Sequence, residues 1–425
     1  MRAVAAPHVE LHCHSGFSFL DGASQPDELA AAAAAQGHEA LAITDHNGVW
    51  GAMEFTQACT SLGIRPLVGC EITIKVNPLE PGTKSRYQRL RPAGSGNRPS
   101  PAGTGREAED PGGGISVGPG VRSHVTLLVE SPEGWKNLCL LLTEAHAHTR
   151  PAAGREALPP ALALDALERH AEGLVCLSGC AREGLLAGFF ERSGGRPSPA
   201  DTGRALALGR RLLGAFGPER LRIELQRPFR RHDRARNRWL AGLAGRLGVA
   251  CVATGNAHCH DRSRVALQDA LVAVSRGRSL DETEALRRGN WRSVLASPQA
   301  MAERFADYPD AVAETVRLAE RLDFNLASDH GYRYPGAEDE TADRRLAARC
   351  AARFGDRYAG TPELAEARRR LDEELRVIRK LRLSGFFLLH ADLLELAREV
   401  ACEVRGPQSA RSVLPPGRGR GSSVS

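Results

Sequence analysis

From residue 9 to about residue 275 of this 425-residue chain, one phrase recurs: a short aliphatic or β-branched run, a polar ligand-type residue, then a helical stretch. The apolar runs are Val9–Leu11, Ala40–Thr44, Pro66–Gly69, Val125–Val129, Gly173–Ser178, Leu221–Leu225 and Gly248–Thr254. Helical spacing appears between them at Gln25–Gln36, Gly51–Leu62, Pro132–Ala145, Ala200–Phe216 and Asp233–Leu247. Strands that are apolar on both faces must be covered on both faces, so the alternation predicts a parallel sheet with helices outside it. Seven such units favour a closed or nearly closed α/β barrel over an open sheet. In that architecture function gathers where strands end and the following loops begin.

Residues 77–123 break the rhythm. Pro, Gly, Ser and Arg dominate and apolar periodicity vanishes, so a flexible insertion on one barrel loop is expected. After about residue 280 the chain turns helical, at Ser297–Phe305, Pro309–Leu322, Ala342–Phe354 and Thr361–Leu381, with Arg and Glu spaced for ion pairs along one face. Gly385–Asp392 opens a last helix to about Glu403. The expected division is a barrel over 1–276 and a helical part over 277–425.

Net charge is +6, yet only Lys75, Lys84, Lys136 and Lys380 are lysines, so bulk charge reflects arginine usage more than a nucleic-acid surface. No apolar run has the length of a membrane span, and residues 1–10 lack a secretory pattern, so a cytoplasmic protein is expected. The ten cysteines include no CxxC pair, which argues against a disulfide framework or a zinc ribbon.

Metal-capable side chains cluster at the strand ends. His12 and His14 are alternate residues of one run and therefore share a face. Asp21 follows them; His46 closes the second run, Glu71 the third, Cys180 the fifth and His258 the last, while His124 borders the fourth. Taken singly, Glu71 reads equally well as a surface charge and Cys180 as a buried thiol, and Asp45 reads as a turn former. Together, five imidazoles, two carboxylates and a thiol exceed the four donors of a structural zinc site. They point to two or three metals sharing bridging carboxylates, an arrangement that cleaves phosphate esters. Imidazole with carboxylate suits Zn, Mn or Fe better than Mg alone.

In this order and spacing, HxH, TDH, GxE, a lone His, SGC and a final NxH resemble the polymerase-and-histidinol-phosphatase (PHP) domain. Leu11–Ser15, Phe19–Ala23, Leu41–His46, Leu177–Cys180 and Glu224–Gln226 further resemble the bacterial C-family DNA polymerases, the alpha subunits of DNA polymerase III. HCHSGFSFLDGAS and Arg264–Asp269 are most similar to the error-prone branch of that family. The resemblance implies a distorted (β/α)7 barrel, followed by a mostly helical segment leading into a polymerase palm. It implies up to three metals on His12, His14, Asp21, His46, Glu71, His124, Cys180, Asn256 and His258. Asn256 departs from the family's Asp, and its amide oxygen brings no negative charge; His260 is positioned in sequence to compensate.

Gly419, Arg420, Gly421 and Ser422 resemble the phosphate-binding loop at the start of the palm, where glycine N–H groups and an arginine meet a nucleotide. No Asp-x-Asp occurs in the chain, so the carboxylates that hold Mg in a full polymerase are expected farther on. The chain is accordingly expected to be a truncated, N-terminal part of an error-prone DNA-directed DNA polymerase that does not polymerise alone. The implied partners are primer-template DNA and deoxynucleotides, with a sliding clamp and mutagenesis accessory proteins for the full enzyme. A free-standing metal-dependent phosphoesterase and a non-catalytic metal-binding scaffold are the alternatives.

Overall fold

The computed structural model describes residues 8–76, 121–150, 158–284, 286–287, 293–329, 339 and 341–405. The chain divides into two compact units, Met1–His330 and Gly331–Ser425. Gly419–Ser422 and residues 77–120 of the expected insertion lie outside the described residues.

The strands of the first unit are β1 (Ala40–Ile43), β2 (Arg65–Val76), β3 (Val121–Val129), β4 (Leu162–Ala163), β5 (Leu174–Leu177), β6 (Leu221–Gln226) and β7 (Cys251–Thr254). Its helices are α1 (Pro26–Gln36), α2 (Ala52–Ser61), α3 (Pro132–His146), α4 (Leu164–Arg169), α5 (Ala187–Arg192), α6 (Pro199–Phe216), α7 (Asp233–Leu247), α8 (Val265–Arg276), α9 (Pro298–Arg304), α10 (Pro309–Arg321) and α11 (Leu326–Asp329). The helices begin where their sequence says they should. Ser131 caps α3 and Ser198 caps α6, each accepting a backbone N–H of the first turn, and each is followed by proline at the first helical position.

The sheet runs β1-β2-β3-β5-β6-β7, with β4 paired to β2. Pairing is parallel from β1 to β2 and from β5 through β7, but β3 is antiparallel to both β2 and β5. The expectation of a wholly parallel sheet is corrected at this one strand. Antiparallel neighbours need no crossover, and β2 and β3 are consecutive in the chain. Their ladder extends from Gly69↔Leu128 to Val76↔Val121, so residues 121–123 are strand rather than insertion, and His124 sits within β3 opposite Thr73.

The run Val9–Leu11 does not make a long strand. Instead it closes the barrel. Glu10 bridges Leu41 on one side and Cys13 bridges Ala257 on the other, with Ala42 N donating to Glu10 O and His14 N to Ala257 O. The chain start therefore lies between the two end strands. Behind it, Leu11, Ala42, Leu67, Leu128, Val175, Leu177 and Val252 form one apolar cluster with Leu318, Ala319 and Leu322 at the end of α10. Residues 277–330, expected in the helical part, thus contribute α10 to the barrel's own core. Arg222 of β6, nearly buried, is neutralised by Glu314 of the same helix at 2.7 Å.

The second unit contains α12 (Ala342–Tyr358), α13 (Leu364–Lys380) and α14 (Ser384–Arg405). Its buried core is small: Ala342, Leu346 and Leu388, flanked by Cys350, Leu375 and Ile378. No helix among the described residues is long and apolar enough to cross a membrane. All ten cysteines are free thiols.

Candidate metal centre

Glu71 is the hub. It leaves β2 on the face opposite the core residues Ile72 and Ile74 and is itself buried. One oxygen lies 3.1 Å from His12 Nε2 and 3.1 Å from His124 Nε2; the other lies 2.7 Å from His46 Nδ1. Three imidazoles from three chain segments thus converge on one carboxylate. His12 and His14 bring their Nε2 atoms to 3.0 Å from each other. Asp21 Oδ2 lies 2.9 Å from His46 Nε2 and 3.2 Å from His258 Nε2. Two donors on one tetrahedral ion at ~2.1 Å stand roughly 3.4 Å apart, so these spacings fit ligands sharing a cation.

Donor atoms fall into three groups within 4.8 Å of one another: His14, His46 and His258; His12, His14 and Glu71; Glu71, His124 and Cys180. His14 and Glu71 each fall in two groups; Glu71, with two oxygens, is able to bridge adjacent metals, whereas the single inward nitrogen of His14 serves one ion. Seven of the nine residues implied by the family resemblance are therefore together, and Asp21 adjoins them through His46 and His258.

Around these donors, a second layer sets which nitrogen faces inward. Glu224 of β6, fully buried, accepts from His12 Nδ1 at 2.7 Å and from Thr254 Oγ1 and Gln226 Nε2. His12 Nδ1 therefore keeps its proton, and Nε2 is the nitrogen turned toward Glu71 and the site. Ser18 Oγ donates to Asp45 at 2.7 Å, so it accepts from His14 Nδ1 at 3.2 Å, and His14 Nε2 is left as the inward lone pair. His258 Nδ1 donates to the Asn256 carbonyl at 2.9 Å, with the same result. Three histidines are thus held in one tautomer by groups that are not themselves in the donor clusters. Asp45 is a buried brace, accepting also from Ser15 N and Ser15 Oγ, rather than a turn former.

Electrostatics follow from burial and crowding. Burial and the neighbouring imidazoles hold His14 well below the usual histidine range. Burial opposes charge on His46 too, but Glu71 on one ring nitrogen and Asp21 on the other push it up to about 10. His124, also desolvated, is raised to about 9 by Cys180 and Glu71. Cys180 is lowered despite its burial because His124 faces it, and its sulfur accepts the backbone N–H groups of Arg182 and Glu183. Glu71, for all its desolvation, is held well below the carboxylate range by His124 and His46.

Asn256 stands apart. It adopts a left-handed backbone (φ 53°), and its side-chain oxygen is buried with no hydrogen-bond partner among the described residues. An orphaned carbonyl oxygen beside a histidine cluster is the kind of group a cation satisfies. His260 falls outside the three donor groups; its Nδ1 bonds Ser24 Oγ at 2.7 Å and lies 3.8 Å from Glu28. The sequence assigns Glu224 no role beyond its motif; its one signal is a carboxylate set between the aliphatic Ile223 and Leu225 of a strand. The Asp45–Ser18 relay had no sequence signal beyond ordinary turn chemistry.

Residues 10–228 match the family model of the PHP domain. The chain is 33% identical over 411 residues to the error-prone DNA polymerase of Mycobacterium tuberculosis, covering 96% of this chain and 33% of that one. It is 33% identical over 422 residues to the error-prone DNA polymerase of Symbiobacterium thermophilum (95% and 34% covered), and 29% identical over 426 residues to the DNA polymerase III subunit alpha of Treponema pallidum (98% and 31%). The chain spans about a third of the length of these curated relatives. Among solved structures, a protein described as a metal-dependent phosphoesterase of Bifidobacterium adolescentis aligns with a TM-score of 0.35 at 15% identity, over 60% of this chain and 88% of that one.

Proposed function

Because the chain belongs to the PHP domain family, we propose that its first unit is a divalent-metal centre of phosphoesterase type, borne by the N-terminal part of an error-prone DNA-directed DNA polymerase. The observation that carries this reading is Glu71 meeting His12, His46 and His124 while sharing donor groups with His14 and Cys180. His12, His14, Asp21, His46, Glu71, His124, Cys180 and His258 would hold two or three ions, with the Asn256 amide oxygen as a weaker, neutral ninth ligand. The donor set suits Zn, Mn or Fe. Bound there, such ions supply charge neutralisation for a phosphoester and a water of lowered pKa.

The protein's own residues do the rest. Glu224, the Ser18–Asp45 relay and the Asn256 carbonyl keep three imidazole lone pairs aimed inward. Burial excludes bulk water from His12 and His14, which strengthens every charge interaction inside. In a complete polymerase the wider activity would be deoxynucleotide addition to primer-template DNA with Mg at palm carboxylates, in the cytoplasm, assisted by a clamp and accessory proteins. The Gly419–Ser422 loop would then serve the nucleotide phosphates.

A second reading has one specific support. Asn256 removes a negative charge where the family pattern has Asp, and that favours a metal-binding scaffold without hydrolysis. Metal analysis of the purified chain, paired with hydrolysis of primer DNA by wild type and Asn256→Asp, separates the two. Metal with DNA hydrolysis supports the active reading. Metal without hydrolysis, restored by Asn256→Asp, selects the scaffold. Cleavage of small phosphomonoesters but not DNA would sink the polymerase-associated reading, and a protein that takes up no divalent metal would remove the premise.

A further inference from the structure

We infer that Phe19, Trp50 and Lys75 form a rest for single-stranded nucleic acid beside the metal centre, the two rings stacking bases and the ammonium taking a backbone phosphate. This deepens the metal-centre reading and rests on it for the position of the reacting phosphate.

The two aromatics sit on the loops that carry Asp21 and His46. Those loops are joined by the Asp21–His46 contact and by Phe17, whose ring lies so close to Gly51 that a Cβ there would come within 2.7 Å of it. Phe19 is 83% exposed and Trp50 58% exposed, although each adjoins a buried residue, Ser18 and Gly51 respectively. Leu20, beside Phe19, has a left-handed backbone (φ 61°), a conformation costly for a branched side chain and found where a loop is held for use. Trp50 is immobilised from beneath. Its ring lies across Gly48, where an added Cβ would fall 2.1 Å from it, and its edge meets the His146 ring at 6.0 Å. A large ring that is fixed before binding and open to solvent loses little freedom when a base stacks on it.

Lys75 extends the site along β2. Ile72 and Ile74 enter the core, so Glu71, Thr73 and Lys75 share the other face, with Lys75 about 13 Å from Glu71 along the strand. Its ammonium donates to His148 Nε2 at 3.0 Å and has no carboxylate partner among the described residues. A small phosphomonoester needs only the metal donors. A strand also needs flat faces for its bases and a cation for the next phosphate.

The test uses the full chain and a fluorescein-labelled oligothymidylate, with binding followed by anisotropy over a salt series in the presence of Mn²⁺. Phe19→Ala and Trp50→Ala should each weaken binding about ten-fold, equivalent to about 1.4 kcal/mol, without changing the salt dependence. Lys75→Gln should flatten the log–log salt slope by about 0.7, the signature of one lost phosphate contact. Metal content and the unfolding midpoint of each variant identify misfolding, against which the slope change of Lys75→Gln still discriminates. Wild-type affinity and slope in all three variants overturn the inference, as does a wild type that does not bind the oligonucleotide. A wild type that binds oligonucleotide but no metal breaks the metal reading and leaves this one standing.

Discussion

Both units pair charges at their surfaces, but only the barrel gathers charged and titratable groups in its interior. In the barrel, Glu71, Glu224, His12, His14 and His258 are buried at one pole, and the carboxylates reach the imidazoles from far away in sequence, Glu71 by 59 residues and Glu224 by 212 from His12. In the helical unit, Arg349 and Arg353 pair with Asp392 and Glu395 at the surface, and Arg370 pairs with Glu374 one helical turn away. Apolar residues reverse this order. The barrel hides most of its own, with Phe19 and Trp50 among the exceptions, whereas α14 leaves Leu393, Leu396, Val400 and Val404 along one helix about half exposed or more. Desolvating charge is expensive, so a fold keeps several like donors together only where something compensates them. Surface pairs compensate themselves in water and carry no such meaning.

The comparison breaks most visibly at Glu71. Glu71→Gln removes the carboxylate shared by two of the three donor groups, and bound metal measured by mass spectrometry should fall by more than half. Unchanged metal content would show that the convergence on Glu71 is only a hydrogen-bond network. Glu224→Gln keeps an acceptor for His12 but removes the charge behind it; metal affinity should drop about ten- to hundred-fold, measured by competition with a chelating dye.

Acid offers a reversible version of the same test. In the metal-free site His46 is raised to about 10 and His124 to about 9, so both hold a proton at neutral pH that a metal must displace. Metal affinity should therefore rise with pH until it passes about 9 to 10 and collapse in acid, with protons released on binding at neutral pH. A titration showing no proton release would contradict that assignment.

The smallest effect belongs to the other unit. Arg349→Ala should shift thermal unfolding by no more than a few degrees, and added salt should erase most of the difference. A large shift that persists in high salt would mean that the surface pairs bear more of this unit's stability than their exposure allows.

Much of the site was legible in the chain because ligand chemistry is carried by residue type. HxH after an apolar run, a histidine after Thr-Asp and a glutamate closing another apolar run mark candidate donors wherever they stand. The β/α rhythm was legible for a similar reason, since burial on both faces of a strand leaves a continuous apolar run. The direction of β3 was not, because its apolar run reads the same whether the strand runs parallel or antiparallel. Nor was the place of α10. Its amphipathic pattern shows that one face is buried but does not name the surface that buries it.

The sequence by itself thus determined the donor types, their order and the class of fold that gathers them at strand ends. Tertiary structure decided which nitrogen of His12 faces the site, that Asp45 braces rather than turns, and that His260 bonds Ser24. A tautomer is set by whatever accepts the other ring proton, and for His12 that acceptor is Glu224, 212 residues along the chain. Local sequence cannot encode a hydrogen bond whose partner arrives only when the barrel closes.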